Sequence, residues 1–165
     1  LRFSFTSSVR VIERLEYRAK GLNSSKPLSA EQSELLVNAI TAEGKNWAGY
    51  GSIDTDHLFE KYGELLSKLE NDFEARKNQL KRETNDRVAI QQNSLMGYLV
   101  NEKKRFDERI EKAIADKKDV YLKSLRTRWT NIENNIKVKY EKLESQKNLS
   151  GIPSFVTVGL VDFKK

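Results

Sequence analysis

The segment LKSLRTRWTNIENNIKVKYEKL, residues 122–143, repeats apolar side chains at steps of three or four. These positions are Leu122, Leu125, Trp129, Ile132, Ile136, Tyr140 and Leu143. Mostly charged and polar side chains fill the positions between them, so one side of a helix is apolar and the rest is solvated. The pattern is typical of a helix that packs lengthwise against another helix.

The surrounding residues 54–149 extend this helical pattern, with no proline and only the glycines Gly63 and Gly97. Polar gaps at 84–86 and 116–119 predict breaks, giving helices over 55–84, 87–115 and 119–149, each about 45 Å long. We expect an up-down-up bundle. In it, one group of apolar side chains packs on a second group and on the apolar positions of residues 122–143. The first group is Phe59, Tyr62, Leu66, Leu69, Phe73 and Leu80, and the second is Leu95, Leu99, Phe106, Ile110 and Ile114. If only the second gap bends, one helix of about 90 Å is followed by a shorter returning helix.

The two ends of the chain carry strand signals. Leu1, Phe3 and Phe5 alternate with polar residues, and residues 155–163 are rich in β-branched and aromatic side chains after the breaker at 150–153. The ends are expected to pair in a small sheet, or each to join a sheet supplied by other residues. The predicted fold is mainly α, an antiparallel helical coiled coil or three-helix bundle. Its parts are a small α/β base (1–53), a helical arm (54–149) and a C-terminal strand that returns to the base (150–165).

Two helices are predicted within the base. Helical spacing of Val9, Ile12, Leu15 and Ala19 predicts a helix over 9–22 that ends near Gly21. A second helix starts after Ser29, which has capping-box spacing to Gln32, and ends at Gly44. Its expected buried side is Leu35, Leu36, Val37, Ala39 and Ile40, and the expected packing residues between base and arm are Trp47 and Tyr50.

Composition limits the class of protein. Hydrophobic residues make up 38% and charged residues 33% of the 165, which predicts slender helices with a thin core. Absence of cysteine excludes disulfides and cysteine-ligated metals, and no apolar run reaches the roughly 18 residues that a membrane span needs. We therefore expect a cytoplasmic protein with no membrane partner. Its first and last residues lead us to expect a piece of a longer polypeptide.

Positive charge is concentrated late in the chain. Residues 117–149 hold nine basic and four acidic groups, a net +5 of the total +6. An electropositive helix attracts nucleic acid or an acidic protein surface, whereas the alternative is that lysine-rich faces keep a coiled coil soluble. Lys123, Arg126 and Lys137 are expected on different sides of the apolar stripe, as part of a diffuse coat that meets phosphate without reading bases. The candidate contact residues are Lys117, Lys118, Lys123, Arg126, Arg128, Lys137 and Lys139.

Motifs for catalysis are missing from the sequence. Gly44-Lys45 is followed by Asn46 and lacks the upstream glycine of a phosphate-binding loop. The single histidine, His57, follows Asp54 and Asp56, where acidic residues suit the positive end of a helix dipole. We predict no catalytic, cofactor or metal residue in this chain; an enzyme centred on His57 is the least favoured hypothesis.

Several segments resemble a known family. They are NEKKRFDERI (101–110), DKKD (116–119), LRTR (125–128), NIE (131–133), KYEKLE (139–144) and FVTVGLV (155–161). Together, residues 54–163 resemble the C-terminal helical region of bacterial Swi/Snf-type helicase-like ATPases, including the RNA-polymerase-recycling type and phage-defence relatives. The resemblance implies an accessory domain of a parent that translocates on duplex DNA using ATP, with a protein such as RNA polymerase as another partner. No motor motif is present, so no catalytic residue carries over.

Two functions follow as hypotheses. The first is a non-catalytic accessory module of a DNA-dependent ATPase, a helical spacer that contacts DNA or a partner protein. The second is a structural or oligomerisation coiled coil without a nucleic-acid role.

Overall fold

The computed structural model describes residues 1–8, 10–45 and 54–161. These residues are mainly helical, with three helices and one small antiparallel sheet, which confirms the predicted fold class. In chain order the elements are β1 Arg2–Thr6, β2 Val11–Leu15, α1 Ala30–Glu43, α2 Thr55–Ala115, α3 Asp119–Ser145 and β3 Ser150–Ser154.

The sheet has the order β2-β1-β3, with β1 antiparallel to both neighbours. Phe3 lies opposite Arg14 on one side and Pro153 on the other. Phe3 and Phe5 are almost fully buried, and their rings each lie 5.2 Å from that of Phe73 in α2. The expected pairing of the two chain ends is confirmed, because β1 and β3 are neighbours.

The predicted helix over 9–22 is wrong. Of its described residues, 11–15 form strand β2, and the Gly21 carbonyl accepts a hydrogen bond from the Ser24 amide in a turn. The adjacent β-branched residues Val11 and Ile12 favour a strand. The backbone N–H and C=O groups of this segment pair with β1, and not with one another as they would in a helix. Val9 lies outside the described residues.

The predicted C-terminal strand is also wrong in its position. Strand β3 is formed by the residues interpreted as a breaker, and residues 155–161 have no regular structure. Pro153 is accommodated because β3 is an edge strand, where one side of the backbone needs no ladder donor. Phe155 still packs, with its ring 6.4 Å from that of Tyr62 in α2.

Helix α1 begins as predicted, with the reciprocal capping box of Ser29 and Gln32. Gly44 follows its last turn and donates its amide to the Ile40 carbonyl. The expected buried side is only partly correct, since Leu36, Val37 and Ile40 are half-buried whereas Leu35 and Ala39 are exposed. The buried residue is Ser33, whose hydroxyl donates to the Ser29 carbonyl and accepts from the Ala19 amide. Trp47 and Tyr50 lie outside the described residues.

Helix α2 runs for 61 residues without the predicted break at 84–86. Thr84 is buried and continues a stripe at four-residue steps from Leu80 through Val88 to Gln92, all of them buried. The three-helix bundle is therefore wrong, and the alternative with one bend, at 116–118, is correct. Phe59 and Ile114, both expected in the core, are exposed.

Packing divides the chain into two units, and the division falls within α2. The first contains the sheet, α1 and α2 up to Gln79, so residues 54–79 pack with the segments predicted as the base. The second contains residues 80–149 with residues 7 and 8. There α2 and α3 form an antiparallel hairpin, with the ring of Phe106 5.5 Å from Trp129 and Gln92 Nε2 donating to Glu144 Oε1 at 2.7 Å.

Candidate nucleic-acid interface

All seven predicted contact residues lie in the turn after α2 or on α3, and all are exposed. Lys117 and Lys118 lie in the turn. The other five, which we call the α3 cations, are Lys123, Arg126, Arg128, Lys137 and Lys139. The structure therefore brings the predicted residues onto one turn and one helix.

The α3 cations form two rows, one on each side of the stripe that packs on α2. An α-helix turns about 100° per residue, so Lys123, Arg126 and Lys137 fall within about 60° of one another on one side. Arg128 and Lys139 fall within about 20° of each other on the opposite side. The expectation that Lys123, Arg126 and Lys137 lie on different sides is thus wrong, because their spacings of three and eleven residues are near whole turns.

Among the residues that the structure describes, Lys118 is paired with a carboxylate, whereas the α3 cations are not. Lys118 Nζ lies 2.8 Å from Asp116 Oδ2, and this hydrogen bond raises the pKa of Lys118 and lowers the pKa of Asp116. Within the described part of the chain, none of the α3 cations makes an ion pair with a carboxylate. Their charge is available to a partner.

A shallow depression joins the two rows on the outer side of α3. Lys123 comes from one row and Arg128 from the other, and between them lie short polar side chains. Its lining is Val120, Lys123, Ser124, Thr127, Arg128 and Asn131. Hydroxyl and amide groups between two cations can donate to phosphate oxygens, a kind of contact that carries no base information.

The predicted contact residues omit one cation of this surface. Lys142 is exposed on α3, three residues after Lys139, and therefore extends the row of Arg128 and Lys139. The signal was present as spacing, since residues three apart on a helix are neighbours.

His57, the other polar candidate, has a local structural role. Its Nε2 donates to the Leu22 carbonyl at 2.8 Å, and its Nδ1 lies 3.5 Å from Glu60 Oε2. Asp54 Oδ1 accepts from the amides of Asp56 and His57, as a helix cap does. Over residues 1–8, 10–45 and 54–161, no group of three or more His, Cys, Asp or Glu side chains is placed to hold a metal ion.

The described helices include none that is long and apolar enough to cross a membrane. Comparison with known proteins finds no matching family model, no matching characterised protein and no matching solved structure.

Proposed function

We propose that this chain is a non-catalytic accessory module that contacts the phosphate backbone of duplex DNA through α3, as part of an ATP-dependent DNA translocase. The observation that supports it best is the pair of rows of unpaired, exposed cations on α3. The likeness of residues 54–163 to the C-terminal region of Swi/Snf-type ATPases supplies the translocase context. Acidic surfaces of a protein such as RNA polymerase are the other partner that this charge fits.

Electrostatics favours a sequence-indifferent contact. Nine basic against four acidic groups in residues 117–149 leave +5, and duplex DNA carries one negative charge per roughly 1.7 Å of its axis. Arg126 and Lys137, like Arg128 and Lys139, are eleven residues apart, or about 16 Å along the helix. Each row is therefore long enough to span several phosphates, and contacts to phosphate carry no base information.

The test is a salt titration of duplex binding by three variants that each lose three positive charges. One replaces Lys123, Arg126 and Lys137 by Gln, and another replaces Arg128, Lys139 and Lys142 by Gln. The matched control replaces Lys26, Lys45 and Lys68, which are exposed and lie outside α3. If a row contacts phosphate, replacing its three cations should reduce the magnitude of the slope of log K against log salt. The reduction should be up to about 2.7, since each contact contributes about 0.9.

The expected result is a reduced slope for at least one α3 variant, an unchanged slope for the control, and equal affinity for duplexes of unrelated sequence. Two results would contradict the proposal: no binding by the unmodified chain at low ionic strength, or an equal loss in all three variants. The first of these favours the alternative, a structural coiled coil that has no nucleic-acid role.

A further inference from the structure

The middle of α2 has no charge. Residues 88–101, VAIQQNSLMGYLVN, contain no charged side chain, whereas the seven residues before them hold five and the seven after them hold six. Helix α3 contacts the stripe of α2 that includes Gln92 and Phe106, whereas several apolar side chains of the interval are exposed. Met96 is 46% exposed, Val100 is 64% exposed and Ile90 is 70% exposed. Met96 and Val100 are four residues apart and therefore adjacent on the helix surface, and a contiguous exposed apolar patch marks an interaction surface.

One exposed face of α2 runs through this interval. Its residues recur at steps of three or four and lie about 100° around the helix from the stripe that meets α3. We call this the α2 side face, and it consists of Arg82, Asp86, Ala89, Asn93, Met96, Val100, Lys103 and Asp107. All eight are exposed. Within the residues that the structure describes, its four charged members make no ion pair.

The α2 side face is complementary to itself when it is reversed. About a two-fold axis between Ser94 and Leu95, Arg82 faces Asp107 of a second copy, and Asp86 faces Lys103. Each opposite-charge pair then occurs twice, because a two-fold interface repeats every contact. Inside the charged ends, Ala89 faces Val100, and Asn93 faces Met96, so the uncharged residues of both copies meet at the centre.

Other arrangements lose this match. Parallel helices in register place Arg82 against Arg82 and Asp86 against Asp86, which are like-charge contacts. An antiparallel shift by seven residues in one direction places Arg82 against Val100 and Asp86 against Met96. The opposite shift places Lys103 against Asn93. Charge pattern therefore selects one orientation and one register, as the flanking charges of coiled coils do.

We propose that a second copy of this chain packs antiparallel along the α2 side face, forming a two-fold symmetric dimer. Ala89, Met96 and Val100 supply the apolar contact, and the two kinds of ion pair determine direction and register. This inference does not depend on DNA binding, since α3 takes no part in the α2 side face.

Sedimentation of the full chain over a range of protein concentrations, at moderate salt and without DNA, tests the proposal. The unmodified chain should form dimers. Arg82→Asp and Asp107→Arg each place like charges together twice per dimer, and each should raise the dissociation constant at least about tenfold. The double variant R82D/D107R restores opposite charges and should return the constant to near its original value. Arg87→Asp is the matched control, because Arg87 is exposed on another side of α2.

Cross-linking tests the orientation directly, because the chain has no cysteine. Mixing an Ala89→Cys chain with a Val100→Cys chain should give a disulfide-linked heterodimer under mild oxidation. Either variant alone should not cross-link, since two copies of residue 89 would lie about 16 Å apart. Circular dichroism should show unchanged helix content in every variant.

The proposal would be overturned by a monomer at all concentrations, by a double variant as weak as its parents, or by cross-linking of the Ala89→Cys chain with itself. The last result would indicate parallel packing. An equal loss in Arg87→Asp would show that net charge, and not the α2 side face, controls association.

Discussion

Gly151 shows how a single residue positions the C-terminal strand. A Cβ atom at this position would lie 2.9 Å from Phe5 Cδ1 and 3.0 Å from Phe73 Cζ. Those two rings are buried and stacked, with centroids 5.2 Å apart and planes at 9°. Glycine is needed here because β3 approaches the rings closely, and not because of its backbone conformation, which is not left-handed.

We therefore expect Gly151→Ala to lower the free energy of unfolding by about 1–3 kcal/mol, as overpacking of a core does. Urea denaturation followed by circular dichroism measures the change. Gly159→Ala is the control, because nothing lies within 4 Å of the added Cβ, and its effect should stay within about 0.5 kcal/mol. Equal effects of the two substitutions would show that the Phe5 and Phe73 rings move aside.

The aromatic core of the sheet was only partly visible in the sequence. Alternation of Phe3 and Phe5 correctly predicts β1, because a strand with one buried face has a period of two. From local sequence, Gly151 and Pro153 predict a break, since both weaken an isolated strand. Their place in β3 depends on Phe5 and Phe73, residues far away in sequence, which local pattern cannot reveal.

At the scale of elements, the turn between α2 and α3 ends α2 with a Schellman motif. The Lys118 amide donates to the Ala113 carbonyl and the Lys117 amide to the Ile114 carbonyl. Lys117 has φ 55°, and among the described residues other than glycine it alone has a positive φ. A side chain in this left-handed conformation is strained, and glycine is the residue that usually occupies it.

We predict that Lys117→Gly raises the free energy of unfolding by about 1 kcal/mol, because it removes this strain. Lys118→Gly is the control: it removes the same charge one residue later, where φ is −94°, together with the ion pair to Asp116. It should be neutral or destabilising by several tenths of a kcal/mol, because glycine adds freedom to the unfolded chain. Thermal denaturation compares them, and a stabilising effect of both would point to charge and not to backbone strain.

The two polar gaps of the arm illustrate what element prediction can and cannot do. Residues 84–86 and 116–118 both contain capping or strongly polar side chains, yet only the second gap ends a helix. At the first, Thr84 occupies a buried position in the stripe of α2, and packing there keeps the helix continuous. The rows of the α3 cations, by contrast, follow from residue spacing within the predicted helix 119–149.

For the molecule as a whole, ion pairs reach across long stretches of sequence within the first unit. Arg18, with only 9% of its side chain exposed, lies 2.5 Å from Asp72 of α2. Lys20 contacts Glu64, which lies about two turns before Asp72 in the same helix. Such pairs place the segment after β2 against α2. The sequence pattern predicts a helix for Arg18 and Lys20 and indicates no partner for them in α2.

Two glutamates that accept hydrogen bonds from lysines predict how stability depends on pH. Hydrogen bonds from Lys20 and then Lys61 lower the pKa of Glu64 below its ordinary 4.5. Hydrogen bonds from Lys147 and then Gln92 lower the pKa of Glu144 in the same direction. Between the native pKa and 4.5, the unfolded chain binds more protons than the native one, so stability rises with pH. The contribution is complete above the unfolded value and is lost as pH falls through the native pKa.

We therefore expect Glu64→Gln to reduce the difference in unfolding free energy between pH 6 and pH 3, because the variant has no carboxylate to protonate at this position. Urea denaturation at intervals across this range measures the difference. The control is Glu70→Gln, an exposed carboxylate on the same helix that makes no ion pair within the described residues, and it should keep the original pH dependence. If Glu64→Gln also kept the original pH dependence, the contact of Glu64 with Lys20 would not persist in solution. The ion pair of Arg18 and Asp72 would then be the contact that holds this segment against α2.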